Sequence, residues 1–394
     1  MIADDRVFGY LKQGATLPGA PPSPAMPGLD QTVEGLSTVS QGMAHSLVFF
    51  DGIKDDDTRL SYVRGLTPAS KWPSSSLAPG VRELQSNNPR VLAETIRWTL
   101  GQFDQPRRYL HLMTHGHGAM GLGMDAIQTS PDGTPLPKNQ QLSLMPVADF
   151  GAALRSGLDG RQLDLTFFTS CYMSNLEALG ELRGLTRYAL ASEAEFILMP
   201  GAMVEMPKRF EALLARGDEP LAIATELATM ANADYSKTQG NQIFNPEFTG
   251  FNAIAVVDVN RLGALTQAVD GLAEALLKAK AANRSAILAA YDETPAFDGN
   301  STGMRDLLAF VQQLERRVTD PAVLADIAKV RAAQASALLF ERDAFEDEAH
   351  GMSLMMPARE DLKQRLTFLR GDYRRTRFAK ETSWDEFLLS LPKK

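Results

Sequence analysis

"LDLTFFTSCYMSNLEALGEL" spans Leu163 to Leu182, and its reading decides the fold. The first seven residues are apolar or β-branched except for Asp164, the pattern of a strand buried on both faces. From Ser174 the apolar residues recur at Leu176, Leu179 and Leu182, which predicts a helix over Ser174–Leu185. Between strand and helix stands Cys171, the only cysteine in 394 residues. One cysteine cannot form an internal disulfide, so its place at the end of a strand raises two readings: a small core residue, or a nucleophile.

The neighbouring segments repeat the alternation. "HSLVFF" (His45–Phe50), "RYLHLMT" (Arg108–Thr114), "YALAS" (Tyr188–Ser192) and "FNAIAVVDV" (Phe251–Val259) read as strands. "PRVLAETIRWTLGQF" (Pro89–Phe103) and "PVADFGAALRSGL" (Pro146–Leu158) read as helices. Strands alternating with helices predict an α/β fold with a mostly parallel central sheet and helices on both faces. Beyond residue 260 the periodicity is mainly helical, including "AVLADIAKVRAAQASALLFERD", with "GMSLMMP" (Gly351–Pro357) as a last short strand. "GATLPGAPPSPAMPGLD" (Gly14–Asp30) is rich in proline, glycine and small residues, so residues 1–44 read as a flexible lead-in. The expected organisation is therefore 45–260 as a catalytic α/β domain and 261–394 as a mainly helical region packed on it.

A net charge of −8 argues against a nucleic-acid partner. Asp4 and Asp5 stand where a signal peptide carries positive charge, and no apolar stretch is long enough to span a bilayer, which together predict a cytoplasmic protein without membrane contact.

In parallel sheets, ligands bind beyond the carboxyl ends of the strands. "RYLHLMT" runs into "HGHG" (His115–Gly118), and "LDLTFFT" runs into Ser170-Cys171. If the two strands are neighbours, His115 and Cys171 share one edge. A base beside a thiol favours the nucleophilic thiolate, and a helix starting just after Cys171 would add to this. Glycine after His115 lets the backbone approach a substrate, so the N–H groups of Gly116 and Cys171 are candidate oxyanion donors. "HLMTHGHG" also holds His111, His115 and His117, and a metal hydrolase built on His115 and His117 is the rival chemistry. The segment lacks the acidic residue of the His-x-His-x-Asp-His pattern, and no metal ligand set is assigned. His45 and His350 read as structural or exposed.

Taken in order, these segments resemble the clostripain-like cysteine peptidases, relatives of caspases, gingipains and legumain. "LHLMTHGHGAMG" matches the family's strand ending in Asp-His-Gly-Gly-Gly-Trp. "LTFFTSCYMSNLEAL" matches its Asp-Ala-Cys-Leu-Met-Gly segment, with Glu177 at the following glutamate. "ALASEAEFILMPG" (Ala189–Gly201) matches its Ala-Ser-Glu-Glu strand end and Pro-Gly turn, and "GMSLMMP" and "TSWDEFLLSL" (Thr382–Leu391) match segments near its end. The likeness runs from about His45 to Leu391. It implies a caspase-like fold, a His115–Cys171 dyad, oxyanion donors at Gly116 and Cys171, and a thioester acyl-enzyme formed on a peptide or protein substrate.

The resemblance also implies a substrate subsite made by Thr169, Ser192, Glu193 and Glu195. The family's aspartate two residues before the cysteine, which receives a basic side chain, is here Thr169, so small, polar or apolar side chains are open at that subsite. Glu193, Glu195 or Glu205 could replace the missing carboxylate. No cofactor is expected; calcium enters by the resemblance alone, with "DGIKDDDTR" (Asp51–Arg59) as the best acidic cluster. Self-cleavage at Lys138, in the loop Thr129–Ser143, and a regulatory partner protein are further implications. The altered subsite keeps a second class of function in view, a non-catalytic relative that binds a peptide or partner in the same groove.

Overall fold

The computed structural model describes residues 2–4, 44–51, 59–64, 67–72, 86–103, 105–126, 142–196, 200–237, 253–297, 302–342 and 349–391. Its strands are β1 (Ile2–Asp4), β2 (Ser46–Asp51), β3 (Arg59–Arg64), β4 (Thr67–Trp72), β5 (Tyr109–Met113), β6 (Leu122–Ala126), β7 (Leu142–Met145), β8 (Leu163–Thr169), β9 (Thr186–Ser192), β10 (Ile254–Asp258), β11 (Met304–Asp306), β12 (Leu338–Arg342) and β13 (Ser353–Met355). Nine of them form one sheet in the order β12-β10-β9-β8-β5-β1-β2-β3-β4. The five central strands, β9, β8, β5, β1 and β2, run parallel. Antiparallel strands extend both edges. This is the α/β class with a mostly parallel centre that the alternation predicts.

Alternate residues of the strands feed two cores. Leu165, Phe167, Tyr188, Leu190, Ile254 and Val256 point to one face, with helices α4 (Pro200–Ala215) and α5 (Pro220–Lys237) contributing Met206, Leu213, Ile223 and Leu227. Leu112, Phe168, Ala189, Ala191, Ala255 and Val257 point to the other. There they meet α1 (Pro89–Gln102), α2 (Val147–Leu158), α3 (Leu176–Glu181) and α6 (Leu262–Glu293). Both faces are covered, which is why these strands read as continuous apolar runs. Local chemistry sets the ends: Asn88 accepts from the Arg90 N–H and Pro89 opens α1, and Asp159 ends α2 in the left-handed conformation.

Three elements differ from the expectation. Ile2–Asp4, placed in the flexible lead-in by composition, form the central strand β1 between β2 and β5. The long helical pattern near residue 337 divides: α8 (Pro321–Ala337) stops, and Leu338–Arg342 become the edge strand β12 of the main sheet. "GMSLMMP" does hold a strand, but β13 pairs with β11 in a separate two-stranded sheet. The chain after 260 thus shares the apolar core of the region before it, through α6, α7 (Leu307–Glu315) and α8. The lead-in at 14–30 and the acidic stretch 52–58 lie outside the described residues.

Trp384, on a short terminal helix, fastens this part to the centre. It is fully buried, its indole N–H donates to Met355 O at 2.9 Å, and its ring meets Phe310 and Phe387 at 6.0 and 5.2 Å. Truncating such a ring removes apolar burial and leaves a cavity. Trp384→Ala is expected to lower unfolding stability by about 3–5 kcal/mol in urea titration; a loss below about 1 kcal/mol would show that this helix is not part of the folding core.

Candidate active site

The pairing of β5 with β8 builds the site. Met113 lies opposite Thr169 in the parallel ladder, and both chains leave the sheet at the same edge. His115 follows β5 and Cys171 follows β8 by the same two residues. The His-Gly segment then folds into a bridge between Gly116 and Leu122, closed by His117 N–H to Gly121 O and Gly123 N–H to His115 O. That pattern leaves the Gly116 N–H outside the bridge's hydrogen bonds. Gly116 packs directly on the cysteine turn: a Cβ at this position would come within 2.2 Å of the Cys171 carbonyl oxygen. Only glycine permits that approach.

Cys171 sits in a tight turn. Tyr172, next in the chain, has φ +59°, a left-handed conformation that is costly for a residue with a side chain. The turn is held by Tyr172 N–H to Ala194 O and Ser174 N–H to Ser192 O, both 2.9 Å. Asn175 works in two directions: its Nδ2 donates to Tyr172 O at 2.7 Å, and its Oδ1 accepts from the Ala178 N–H as the cap of α3.

Half-buried Cys171 receives the Phe196 N–H on Sγ at 3.4 Å. Burial, with the Glu195 carboxylate nearby, pushes the thiol up to about 11. This corrects one expectation. The helix was expected to start just past the cysteine and favour thiolate. Instead α3 starts at Leu176, five residues past the cysteine, spans six residues and has its Ala178 N–H capped by Asn175, and burial raises the thiol.

Of the histidines, His115 and His117 are half-buried beside the turn. His111 is structural: its ring stacks on Phe167 at 4.5 Å, its Nε2 meets Thr169 Oγ1 at 2.9 Å, and burial drives it down to about 3, so it stays neutral. Among the described residues, no group of three or more His, Cys, Asp or Glu side chains could hold a metal ion.

The expected substrate contacts divide. Thr169 is buried, with its hydroxyl engaged by His111 and Leu112 O. Ser192 is fully buried and its Oγ has no hydrogen-bond partner. Glu193 is fully buried and accepts the Gly351 N–H at 2.7 Å, which makes it a structural carboxylate rather than the subsite residue that the resemblance implies. Glu195 remains half-exposed and near the thiol. Residues 197–199, the side chain of Glu205, and Lys138 lie outside the described residues.

The sequence also gave no role to a set of supports. Glu177 Oε1 accepts the Met355 N–H at 2.9 Å and the Tyr373 hydroxyl at 2.8 Å, and burial raises its carboxyl to about 7. Ser174 Oγ donates to Gly351 O at 2.7 Å, and the Ser353 N–H donates to Ser174 O at 2.9 Å. The segment Gly351–Met355 is thereby stitched along the cysteine turn.

The clostripain family model matches residues 29–390. The chain belongs to the clostripain family. It is a cysteine peptidase, a hydrolase whose substrates are peptides or proteins. The fold is similar to that of a secreted C11 cysteine protease from Bacteroides thetaiotaomicron solved with an irreversible peptide inhibitor, at TM-score 0.60 and 17% identity, covering 91% of this chain and 94% of that one. It is equally similar to an inactive zymogen C11 protease from Parabacteroides distasonis, at TM-score 0.60 and 16% identity, covering 97% and 96%. Among curated proteins no relative matches the chain. No helix of the described residues is long and apolar enough to cross a membrane.

Two outcomes follow for this peptidase. Gly116→Ala forces the His115 turn off the Cys171 carbonyl, and kcat/KM on a peptide substrate is expected to fall about 100-fold, the cost of a misplacement near 1 Å, with a loss of unfolding stability of about 1–3 kcal/mol from the overpacked turn. Glu195→Gln removes the negative charge beside the thiol, which favours thiolate. Alkylation of Cys171 by iodoacetamide at pH 8 is expected to accelerate; an unchanged rate would place Glu195 outside the thiol's field.

Proposed function

We propose that the chain is an endopeptidase working through a His115–Cys171 dyad. The thiolate of Cys171 attacks the scissile carbonyl, and the resulting oxyanion lies against the N–H groups of Gly116 and Cys171. His115 takes the thiol proton and delivers it to the leaving amine. Collapse breaks the C–N bond and leaves a thioester on Cys171; water then attacks the thioester, and the thiol is regenerated as the acid product departs. The observation that carries this reading is the packing of Gly116 on the Cys171 carbonyl, which brings the His-Gly segment to the cysteine turn. The Gly116 N–H left over by its bridge supports the oxyanion role.

The raised thiol sets the order of events. With burial pushing Cys171 up to about 11, the resting enzyme carries a neutral thiol at pH 7. Deprotonation therefore belongs to the substrate complex, with His115 as acceptor, rather than to a preformed ion pair. Activation by self-cleavage at Lys138 or by a regulatory partner, and action in the cytoplasm without a cofactor, are part of the same proposal and rest on the sequence.

A peptide-library cleavage assay tests the dyad. Cys171→Ala is expected to abolish hydrolysis, and His115→Ala to lower it by about 10²–10⁴-fold, the usual contribution of a positioned acid–base group. Activity in EDTA is expected to equal activity without it. Two variants with full activity would remove the dyad, and chelator-sensitive hydrolysis that survives Cys171→Ala would favour the metal chemistry of His115 and His117.

A further inference from the structure

Behind the cysteine turn lies a buried pair of acids that the proposed chemistry does not use. Glu193 and Asp306 come from distant parts of the chain and are 0% and 1% exposed. Three N–H donors converge on Asp306: His350 Nδ1 and Ala309 N on Oδ1, at 2.9 and 2.6 Å, and His350 N on Oδ2 at 2.9 Å. Asp306 also caps α7. Three donors on one carboxyl leave its oxygens fully engaged as acceptors. Glu193 is served differently. Its Oε1 accepts the Gly351 N–H, while its Oε2 is buried with no donor directed to it. A buried carboxylate oxygen without a donor, beside another carboxylate, is the place for a proton. Burial first, and the Asp306 carboxylate second, raise Glu193 well above the usual carboxylate range.

Among the described residues, the groups facing Glu193 come from several elements. They are Asp306 at the β11–α7 junction, Glu341 on β12, the Gly351 N–H with His350 ahead of β13, and the Ala253 carbonyl ahead of β10, which accepts the Glu193 N–H at 3.0 Å. Two of the side chains are acids, and the one titratable base, His350, is engaged with Asp306 and Gln312. No cation among these groups would stabilise an ionised Glu193.

Its position matters because its neighbours hold the cysteine turn. Ser192 O accepts from Ser174 N–H, Ala194 O accepts from Tyr172 N–H, and the Phe196 N–H lies on Cys171 Sγ. Gly351, bonded to Glu193 through its N–H, accepts from Ser174 Oγ through its carbonyl.

We propose that Glu193 is a positioning residue of the peptidase: as a neutral carboxylic acid beside Asp306 it holds the Ser192–Phe196 turn and Gly351 against the Cys171 turn, and loss of its proton as the pH rises dismantles the site. The proposal rests on Cys171 being the nucleophile.

The sign is fixed by linkage. A group that keeps its proton longer when folded contributes stability that is full below the ordinary carboxylate value. That contribution is lost as pH rises through the raised value. Glutamine imitates the neutral acid, with an oxygen for the Gly351 N–H and an amide donor toward Asp306, and it cannot ionise.

The experiment measures kcat/KM on one peptide and the thermal midpoint, each against pH, for wild type, Glu193→Gln and Glu193→Ala. Glu193→Gln is expected to keep neutral-pH activity within about threefold, to move the alkaline fall of kcat/KM upward by at least about one pH unit, and to flatten the alkaline fall of the midpoint. Glu193→Ala is expected to lose activity at every pH. An alkaline fall that Glu193→Gln leaves in place in both measurements overturns the proposal, as does a loss of neutral-pH activity equal to that of Glu193→Ala. The melting curves need no catalysis, so they test Glu193 even if Cys171→Ala shows that another group is the nucleophile.

Discussion

The parallel pairing of β5 with β8 is the constraint on which the site depends. Because the strands run the same way, the residues two past the last pair, His115 and Cys171, emerge together. Reversing either strand would separate them by its own length, roughly 15 Å for five residues at about 3.3 Å each. The pairing sets neighbourhood but not contact. Contact is made by Gly116, whose missing Cβ lets one loop rest on the carbonyl of the other. Tyr172 completes the arrangement by accepting a left-handed backbone directly after the cysteine, a strain held by the Asn175 amide on its carbonyl and by the Ala194 carbonyl on its N–H.

The supports of this edge are buried acids that accept backbone N–H groups. Glu177 holds Met355, Glu193 holds Gly351, and Asp306 holds His350 and the first turn of α7. Burying a carboxyl is unfavourable unless it is hydrogen-bonded or neutral. Here each acid takes at least one donor, and the two with an orphan oxygen, Glu177 and Glu193, are raised by burial toward the neutral form. The chain beyond residue 300 is thus a scaffold for a turn more than a hundred residues earlier. Its own apolar anchor, Trp384, bonds the same Met355 whose N–H Glu177 receives.

Much of this was legible in the sequence where the physics is local. β8 coincides with the expected strand, β5 and β2 lie within about a residue of theirs, and the family follows from motif order. The losses have identifiable causes. Ile2–Asp4 are too few to show a period, and their strand exists through pairing with β2 and β5. Leu338–Arg342 continue the helical spacing of α8, and only the antiparallel partner β10 makes them a strand. Glu193 enters the expected subsite only through the resemblance, by matching the Ala-Ser-Glu-Glu strand end. Its direction is decided by Gly351, 158 positions away. The thiol follows the same rule: burial and Glu195, which depend on tertiary packing, push it up, and the helix after it begins only at Leu176.

That last balance bears on how such an enzyme restrains itself. A thiol ionised at rest would react with any electrophile reaching it. At Cys171 burial first, and the nearby Glu195 charge after it, push the thiol up, against the Phe196 N–H on its sulfur, which favours the thiolate. Within the proposed dyad, reactivity then requires a change that a bound peptide can supply: screening of Glu195 while the Phe196 N–H, which favours the thiolate, stays on Sγ, so that moving the proton to His115 costs less. The Glu195 charge that slows the resting thiol becomes useful once a substrate donor lies against it. The resting state is thereby made less reactive, and part of the substrate's binding energy goes into easing the proton transfer.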